Sequence, residues 1–338
     1  MRRVPYDFVL TALLAVALFF LPDVLKTLYG KAAVSYLSLL TNALSLAVLA
    51  LSWDILARTG QLSLAHAAFF GAGAYTTAIA ARLGGPLWLG IPLGGIVAVL
   101  LALLLGSVTL RLRGIYFAIA TLAFAEVLKA VVQELPTSLA GGSAGLNVAP
   151  LFRPQFVAGE MERWEIAFLR NEGYFWVYGG LLVLSLLVSV LVQRSRLKPA
   201  FTAIRTNEEV AAVMGVRSPR YKLLAFALSS LLVGLLGAVA AHRFGSVLPD
   251  ETFGVGTTVL ALVTPIFGGL YTTLGPVVGA VGLASVEELL RRTFSEGYLI
   301  GYGVVLVLSI LFMPRGIVGL FSGLRRASRR VPTTRKKT

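Results

Sequence analysis

Few side chains in this 338-residue sequence could carry chemistry, and most of them are charged pairs beside or inside long apolar stretches. Glu126 and Lys129 are three residues apart, so a helix would place them on one face, where they can neutralise each other. This spacing suits a self-paired couple that faces the interior of a helical bundle. The alternative is a polar patch that contacts a zwitterionic solute, and the sequence leaves both interpretations open.

Two further charged groups lie near the ends of apolar stretches. Asp54 and Arg58 are four residues apart, and Glu287 and Glu288 stand four residues before a pair of arginines at 291–292. Side chains at this spacing meet on the surface of a helix. We therefore expect surface ion pairs that contribute about 0.5 kcal/mol or less each.

A third group is polar but uncharged. Gln61, Ser63 and His66 follow one another at the start of an apolar stretch, and Tyr75 lies further along the same stretch. Their ordinary role would be hydrogen bonding to neighbouring helices, and the alternative is contact with a transported solute. We take these four residues, with Glu126 and Lys129, as the candidate solute pathway.

One motif suggests an enzyme instead. Gly141–Gly145 fits the Gly-x-Ser-x-Gly pattern with Ser143 at its centre, and His242 lies in a later apolar stretch. An intramembrane serine protease would use such a Ser–His pair. However, Ser143 stands in a long polar loop, and no strand precedes it as in soluble hydrolases. The sequence contains no cysteine, which excludes thiolate catalysis and cysteine-based metal sites.

These residues must be positioned by membrane helices. The chain is 57% hydrophobic and only 14% charged, whereas soluble domains carry about 25% charged residues. Because lipid cannot satisfy backbone polar groups, apolar stretches of this length predict an all-α, polytopic transmembrane bundle. We count about ten membrane helices, of which 253–269 contains Pro265 and is a candidate for a broken or re-entrant helix. They cover approximately 6–22, 34–56, 62–82, 87–109, 115–135, 174–193, 222–242, 253–269, 274–290 and 298–313.

The distribution of arginine and lysine predicts the orientation. The loop 194–222 has seven and the tail after Met313 has eight, whereas the loop 136–172 has three against four glutamates. Positively charged loops stay in the cytoplasm, which also explains the net charge of +14 without nucleic-acid binding. We therefore predict a transmembrane domain over 1–313 with an inside loop at 194–221 and an outside loop at 136–172. A basic tail (314–338) follows, both termini are cytoplasmic, and the first helix after Arg2 and Arg3 is not cleaved.

The loop 194–221 contains a short predicted helix. Asn207 is a favourable N-cap, Glu208 and Glu209 suit the first turn, and Gly215 is well placed to end the helix. The apolar face is formed by Val210, Ala211, Val213 and Met214. A short exposed helix of this kind either docks into a groove on a partner or lies on the membrane surface.

This segment resembles the coupling loop of ABC-importer permeases, since Glu209-Val-Ala-Ala-Val-Met-Gly215 is similar to Glu-Ala-Ala-x3-Gly with one inserted residue. A closer resemblance, over nearly the whole chain, is to the branched-chain amino acid permease family of the LivM type. Five stretches in order carry it: GQLSLAHAAFFGAGAY (60–75), RGIYFAIATLAFAE (113–126), GGSAGL (141–146), AIRTNEE (203–209) and GGLYTTLGPVVG (268–279).

The resemblance implies a permease subunit of the bacterial inner membrane that imports branched-chain amino acids or similar small solutes. It implies a second related permease as heterodimer partner, two ATPase subunits and a periplasmic solute-binding protein. The sequence has no phosphate-binding Gly-x4-Gly-Lys-Ser/Thr motif, so ATP and magnesium would bind the ATPase subunits and this chain would hold no cofactor. A stand-alone secondary transporter or channel is the alternative. The implied ATPase-coupling residues are Arg205, Asn207, Glu208, Glu209, Ala211, Ala212 and Gly215.

Overall fold

The computed structural model describes residues 6–152, 163–294, 297–312 and 316–319. Within these ranges the chain is almost entirely helical, as the sequence predicts. Three sequence predictions fall on residues outside the described ranges. They concern the basic N-terminal residues, the middle of the loop 136–172 and nearly all of the tail 314–338.

Among the described residues, ten long helices form the body of the protein, and each overlaps one of the ten predicted apolar stretches. Their bounds differ from the prediction by at most four residues, except that the first stretch is extended at its C-terminal end by seven and the sixth at its N-terminal end by eleven. They are α1 (Tyr6–Tyr29), α2 (Ala33–Ala57), α3 (His66–Arg82), α4 (Leu87–Thr109), α5 (Ile115–Glu134), α7 (Arg163–Arg194), α10 (Ser218–Phe244), α12 (Val255–Gly268), α13 (Gly275–Thr293) and α14 (Tyr298–Phe312).

Short elements connect the long helices. Two 3-10 turns lie at Gly30–Ala32 and Gly142–Ala144. Two strands of two residues each, β1 and β2, pair antiparallel with Leu146 opposite Val247. The remaining elements are α6 (Thr137–Ala140), β1 (Leu146–Asn147), α8 (Leu197–Thr206), α9 (Glu208–Val213), β2 (Ser246–Val247) and α11 (Pro249–Thr252).

Six helical stretches among the described residues are long and apolar enough to cross a membrane. One of them contains both α1 and α2, and another joins α11 to α12. With 14 residues, α12 alone is about 21 Å long, short of the roughly 30 Å hydrocarbon layer. The predictions of about ten crossings and of a re-entrant α12 stay predictions. The six are Thr11–Ala57, Leu87–Thr109, Ile115–Glu134, Trp164–Arg194, Ser218–Phe244 and Pro249–Gly268.

Helices α2 and α10 lie at the centre of the bundle. Helix α10 packs against α3 and α4, and α2 packs against α7, α12 and α13. The α3–α10 contact depends on glycine: a Cβ atom on Gly73 would overlap the carbonyl group of Gly234, and one on Gly237 would overlap that of Phe70. This agrees with the packing role that the sequence suggests for most helix glycines.

The bundle has two distinct ends. At one end, the β1–β2 pair joins the start of the loop 136–172 to the residues that follow α10. At the other end, α8 and α9 lie between the end of α7 and the start of α10, beside the loops 58–65, 110–114 and 269–274. The loop 194–221, which the sequence predicts to be cytoplasmic, therefore lies next to the loops that follow α2, α4 and α12.

Candidate functional site

The α8–α9 segment (197–214) is built as its sequence predicts. The side-chain oxygen of Asn207 accepts hydrogen bonds from the backbone N–H groups of Glu209 (3.0 Å) and Val210 (3.1 Å), so it caps α9. Helix α9 ends at Val213, and Gly215 follows with a left-handed φ of +84°. That conformation favours glycine and lets the Gly215 N–H donate to the carbonyl oxygen of Ala212.

The segment presents an apolar groove to its surroundings. Val213 is 87% exposed, and Val210 and Met214 are also exposed, whereas Ala211 is buried against the body of the protein. The sequence predicts an apolar face of four residues here. Three of them are exposed, and the fourth, Ala211, is buried. An open groove of about 580 Å³ runs between α8 and α9 and has Pro199, Val210 and Met214 in its wall. No described part of the chain covers this groove.

The acidic first turn of α9 is fixed to the bundle by two basic residues from other elements. Lys222 at the start of α10 contacts Glu208, with 2.7 Å between nitrogen and oxygen, and both of these side chains are largely buried. Arg113, just before α5, contacts Glu209 at 2.9 Å and Glu208 at 3.6 Å. The hydrogen bond to Glu209 and the charges of both glutamates raise the pKa of Arg113 above its usual value. Helix α9 is therefore tied to the first turns of α5 and α10.

Arg205, near the end of α8, connects the segment to two loops. Its backbone passes Gly60 so closely that a Cβ atom there would lie 3.1 Å from the Arg205 Cα, and Gly60 has a φ of +82°. Its guanidinium lies 3.8 Å from the ring centre of Tyr271, in a cation–π contact. Tyr271 has a φ of +63°, a left-handed conformation that costs a non-glycine residue about 1–2 kcal/mol.

The strained backbone of Tyr271 is held by a buried ion pair. The Tyr271 N–H donates to Asp54 at 2.6 Å, and the other oxygen of Asp54 accepts two hydrogen bonds from Arg58, at 2.6 and 2.9 Å. Arg58 also donates to the Ser189 hydroxyl of α7 and to the Thr272 carbonyl. Asp54 is fully buried and Arg58 is 6% exposed, so the expectation of a weak surface pair is wrong here. Spacing alone does not reveal how deep a helix position lies.

The other predicted surface pair is confirmed in part. Glu288 contacts both Arg291 (2.6 Å) and Arg292 (2.7 Å), whose side chains are more than half exposed. Glu287 forms no ion pair among the described residues within 4.0 Å.

The buried pair completes a continuous path of contacts, which we call the Arg205–Asp54 network: Arg205, Tyr271, Asp54, Arg58 and Ser189. It runs from α8 through the loop 269–274 to α2 and α7. Arg113, Lys222 and Tyr271 were absent from the sequence-based candidates. Two of the quoted stretches nevertheless contain a signal, since RGIYFAIATLAFAE begins with Arg113 and GGLYTTLGPVVG contains Tyr271.

Glu126 and Lys129 do pair with each other, at 3.5 Å, but they do not face the bundle interior. Glu126 is 50% exposed, and Lys129 also contacts Asp250 of α11 at 3.2 Å. Within α5 only Phe117, Thr121 and Ala125 are buried, so this helix is peripheral in the isolated chain. The self-paired couple inside the bundle is therefore excluded, and the polar patch on an open face stays a hypothesis.

The other candidate pathway residues are separated from that patch and buried. His66 is fully buried, with its Nε2 3.1 Å from the Ser229 hydroxyl. The Ser63 carbonyl accepts a hydrogen bond from Trp53, and the Tyr75 hydroxyl donates to the Val247 carbonyl. The His66 contact joins α3 to α10, which is the ordinary role considered from the sequence, whereas Ser63 contributes a backbone carbonyl and Tyr75 joins α3 to β2. Gln61 is also buried, beside a polar cavity near α8.

The structure gives no support to a Ser143–His242 protease. The two ring nitrogens of His242 contact the Thr77 hydroxyl (3.1 Å) and the Ala149 carbonyl (2.7 Å). Ser143 lies exposed on the 3-10 turn, and no hydrogen bond joins it to His242 in the described part of the chain. A general base must reach its nucleophile, and this histidine is already engaged by Thr77 and Ala149.

Comparison with known proteins identifies the family to which this chain is similar. Residues 35–313 match the family described as "Branched-chain amino acid transport system / permease component". The chain is 32% identical over 276 residues to the high-affinity branched-chain amino acid transport system permease protein LivM of Salmonella typhimurium LT2. It is 31% identical to LivM of Escherichia coli K12 over the same length. Both alignments cover 77% of this chain and 64% of the relative.

A second type of relative matches more weakly. The permease protein LivH of the same Escherichia coli transport system is 25% identical over 184 residues, which are 54% of this chain and 58% of LivH. The chain thus spans a little under two thirds of the length of the curated relatives that it matches.

Proposed function

The chain belongs to the family of branched-chain amino acid transport permeases and is a multi-pass membrane protein; on this premise, we propose that it is the membrane-spanning permease subunit of an ATP-binding-cassette importer. The proposed cargo is branched-chain amino acids or similar small solutes, delivered by a periplasmic binding protein. The observation that carries the proposal is the exposed apolar groove of α8–α9, held by charged contacts to the bundle. The proposed location is the bacterial inner membrane with both termini in the cytoplasm.

The groove suits a separate ATPase subunit as its partner. The apolar side chains of Val213 and Met214 are largely exposed. Burying such side chains stabilises an interface by about 25 cal/mol per Å² of apolar area. Glu208 and Glu209 already pair with this chain's own bases. The apolar side chains therefore supply the docking contact, and the acids hold the docked helix in a fixed position on the bundle.

Movement of the docked segment would reach the bundle by two routes. The first is the Arg205–Asp54 network, which leads to α2, α7 and the loop before α13. The second runs through Lys222 and Arg113 to the starts of α10 and α5. Because close-packed side chains transmit displacement, a shift of α9 would tilt these helices against their neighbours. Such tilting would alternate access between the two sides of the membrane.

The solute path is proposed to run along α5, at the interface with a second permease. Glu126 lies mid-helix, and a charged side chain facing lipid at that depth is costly even when, as here, it is paired with a lysine. A half-exposed Glu126 is therefore best explained by a face that lines water or another subunit. The apolar exposed residues of the same helix, Ile119 and Val127, suit contact with a second subunit.

Reconstitution tests the proposal. The chain is placed in proteoliposomes alone and then together with a related second permease, the ATPase subunits and a binding protein loaded with radioactive leucine. We expect uptake that requires ATP and every partner. Leucine flux through the chain alone, without ATP, would support the stand-alone transporter and contradict the proposal.

Glu209→Lys sharpens this experiment because Glu209 is exposed and touches Arg113 alone among the described side chains. The variant places two positive charges together and loosens α9 while the bundle stays folded. We expect ATP hydrolysis to persist and uptake to fall at least tenfold. The double variant Arg113→Glu/Glu209→Lys restores the opposite charges, and uptake should recover in part. Full uptake in Glu209→Lys alone would show that α9 is not the coupling helix.

A further inference from the structure

A small polar cavity lies between the α8–α9 segment and the bundle. Its volume is about 120 Å³, room for roughly four water molecules at about 30 Å³ each. Arg205 and Glu208 line it from the α8–α9 segment, whereas Gln61, Arg113 and Lys222 line it from the bundle. Apolar side chains, among them Phe117, close the rest of the wall. A ligand in this cavity would contact the α8–α9 segment and the bundle at the same time.

Gln61 gives the first sign of a ligand. It is 5% exposed, and neither its side-chain nitrogen nor its side-chain oxygen has a hydrogen-bond partner among the described residues. A buried amide without partners is unfavourable, and such groups in native proteins are almost always satisfied. The Gln61 amide can donate two hydrogen bonds into the cavity that it lines.

The charges around the cavity give the second sign. Three cations line it, and Glu208 is its one lining carboxylate among the described residues. Glu208 is already occupied by Lys222 at 2.7 Å and by Arg113 at 3.6 Å, and Arg113 also pairs with Glu209. Arg205 has no carboxylate within 4.0 Å in the described part of the chain. The Arg205 guanidinium contacts the face of the Tyr271 ring, which leaves the N–H groups at its edge able to donate.

We propose that this cavity binds a small oxyanion, a carboxylate or a phosphate, between the Arg205 guanidinium and the Gln61 amide. Planar guanidinium donors suit both kinds of oxyanion, and the cavity has room for an ion the size of acetate or phosphate but not for a nucleotide. The bound ion clamps α8 to the loop 58–65. If the α8–α9 segment is the coupling segment of the proposed function, the ion holds the transporter against the movement of its ATPase.

Thermal unfolding of the full-length chain in detergent tests binding without ATP, partners or transport. Sodium acetate and sodium phosphate are titrated separately against sodium chloride at equal ionic strength. A ligand that binds the folded state raises Tm in a saturable way, and we expect such a rise with at least one of the two. A rise with acetate alone identifies a carboxylate site, and a rise with phosphate identifies a phosphate site. No saturable rise with either ion overturns the proposal.

Two variants test whether the ion binds in this cavity, and a third variant serves as the control. Arg205→Gln and Gln61→Leu each remove donors from the cavity, and each should weaken the apparent affinity at least about tenfold. Arg220→Gln removes the same charge from an exposed position near α9 that does not line the cavity, and it should leave the affinity unchanged. Equal affinity in Gln61→Leu and the unmodified chain overturns the proposal even if Arg205→Gln fails to fold. Because no transport is measured, this failure leaves the proposed function standing.

Discussion

The buried Asp54–Arg58 pair predicts a large loss of stability when its charges no longer cancel. In Asp54→Asn, the amide oxygen can still accept from the Tyr271 N–H, but the Arg58 guanidinium keeps its charge and faces an amide. Breaking a buried ion pair on one side costs about 3–5 kcal/mol, because the remaining charge stays away from water. At about 2 °C per kcal/mol for a large domain, Tm should fall by roughly 6–10 °C.

Thermal unfolding of the purified chain in detergent measures this loss. Glu288→Gln is the matched control, since it makes the same carboxylate-to-amide change beside two arginines that are half exposed. Exposed pairs contribute less than about 1 kcal/mol, so Tm should change by no more than about 2 °C. Asp54→Asn/Arg58→Met removes both charges but keeps an acceptor for the Tyr271 N–H, and it should recover most of the lost stability. If Asp54→Asn unfolds at the same temperature as Glu288→Gln, the network is not a stabilising feature of the fold.

Three further predictions follow from other contacts. Asn207→Ala removes the cap of α9 and should destabilise that helix by about 1 kcal/mol, seen as faster hydrogen exchange at Glu209 and Val210 without a change in global Tm. Gly73→Val places side-chain atoms on the Gly234 carbonyl and should abolish a monodisperse folded species in size-exclusion chromatography, whereas Gly180→Val, which meets nothing within 4 Å, should be tolerated. Glu126→Leu should retain Tm but lower leucine uptake at least tenfold if this residue lines the path.

Local features of the fold were predictable from the sequence, and long-range contacts were not. The cap at Asn207 and the turn at Gly215 depend on residues within a few positions, so composition and spacing predict them directly. The burial of Asp54 depends on the loop 269–274, which is more than 200 residues away in sequence. The pattern of apolar residues within α2 gives no indication that the loop 269–274 covers Asp54.

The exposure of Glu126 was unpredictable for a related reason. The i,i+3 spacing correctly indicates that Glu126 and Lys129 share a face of α5. Which way that face points depends on which neighbours α5 has, and in this chain α5 packs on few of them. A membrane helix is apolar whether it faces lipid, its own bundle or a second subunit, so its hydropathy does not distinguish the three environments.

Site-specific cross-linking tests the central claim, which is that an ATPase docks on α8–α9. The chain contains no cysteine, so a single introduced cysteine reacts at one place. Val213→Cys lies on the exposed face of α9, and Asn147→Cys is an exposed control at the opposite end of the bundle. In membranes that carry active ATP-dependent uptake, a short maleimide–benzophenone cross-linker attached to the introduced cysteine should, on irradiation, join the Val213→Cys variant to the ATPase subunit and leave the Asn147→Cys variant unlinked. Linkage at position 147, or at neither position while uptake continues, would contradict the account.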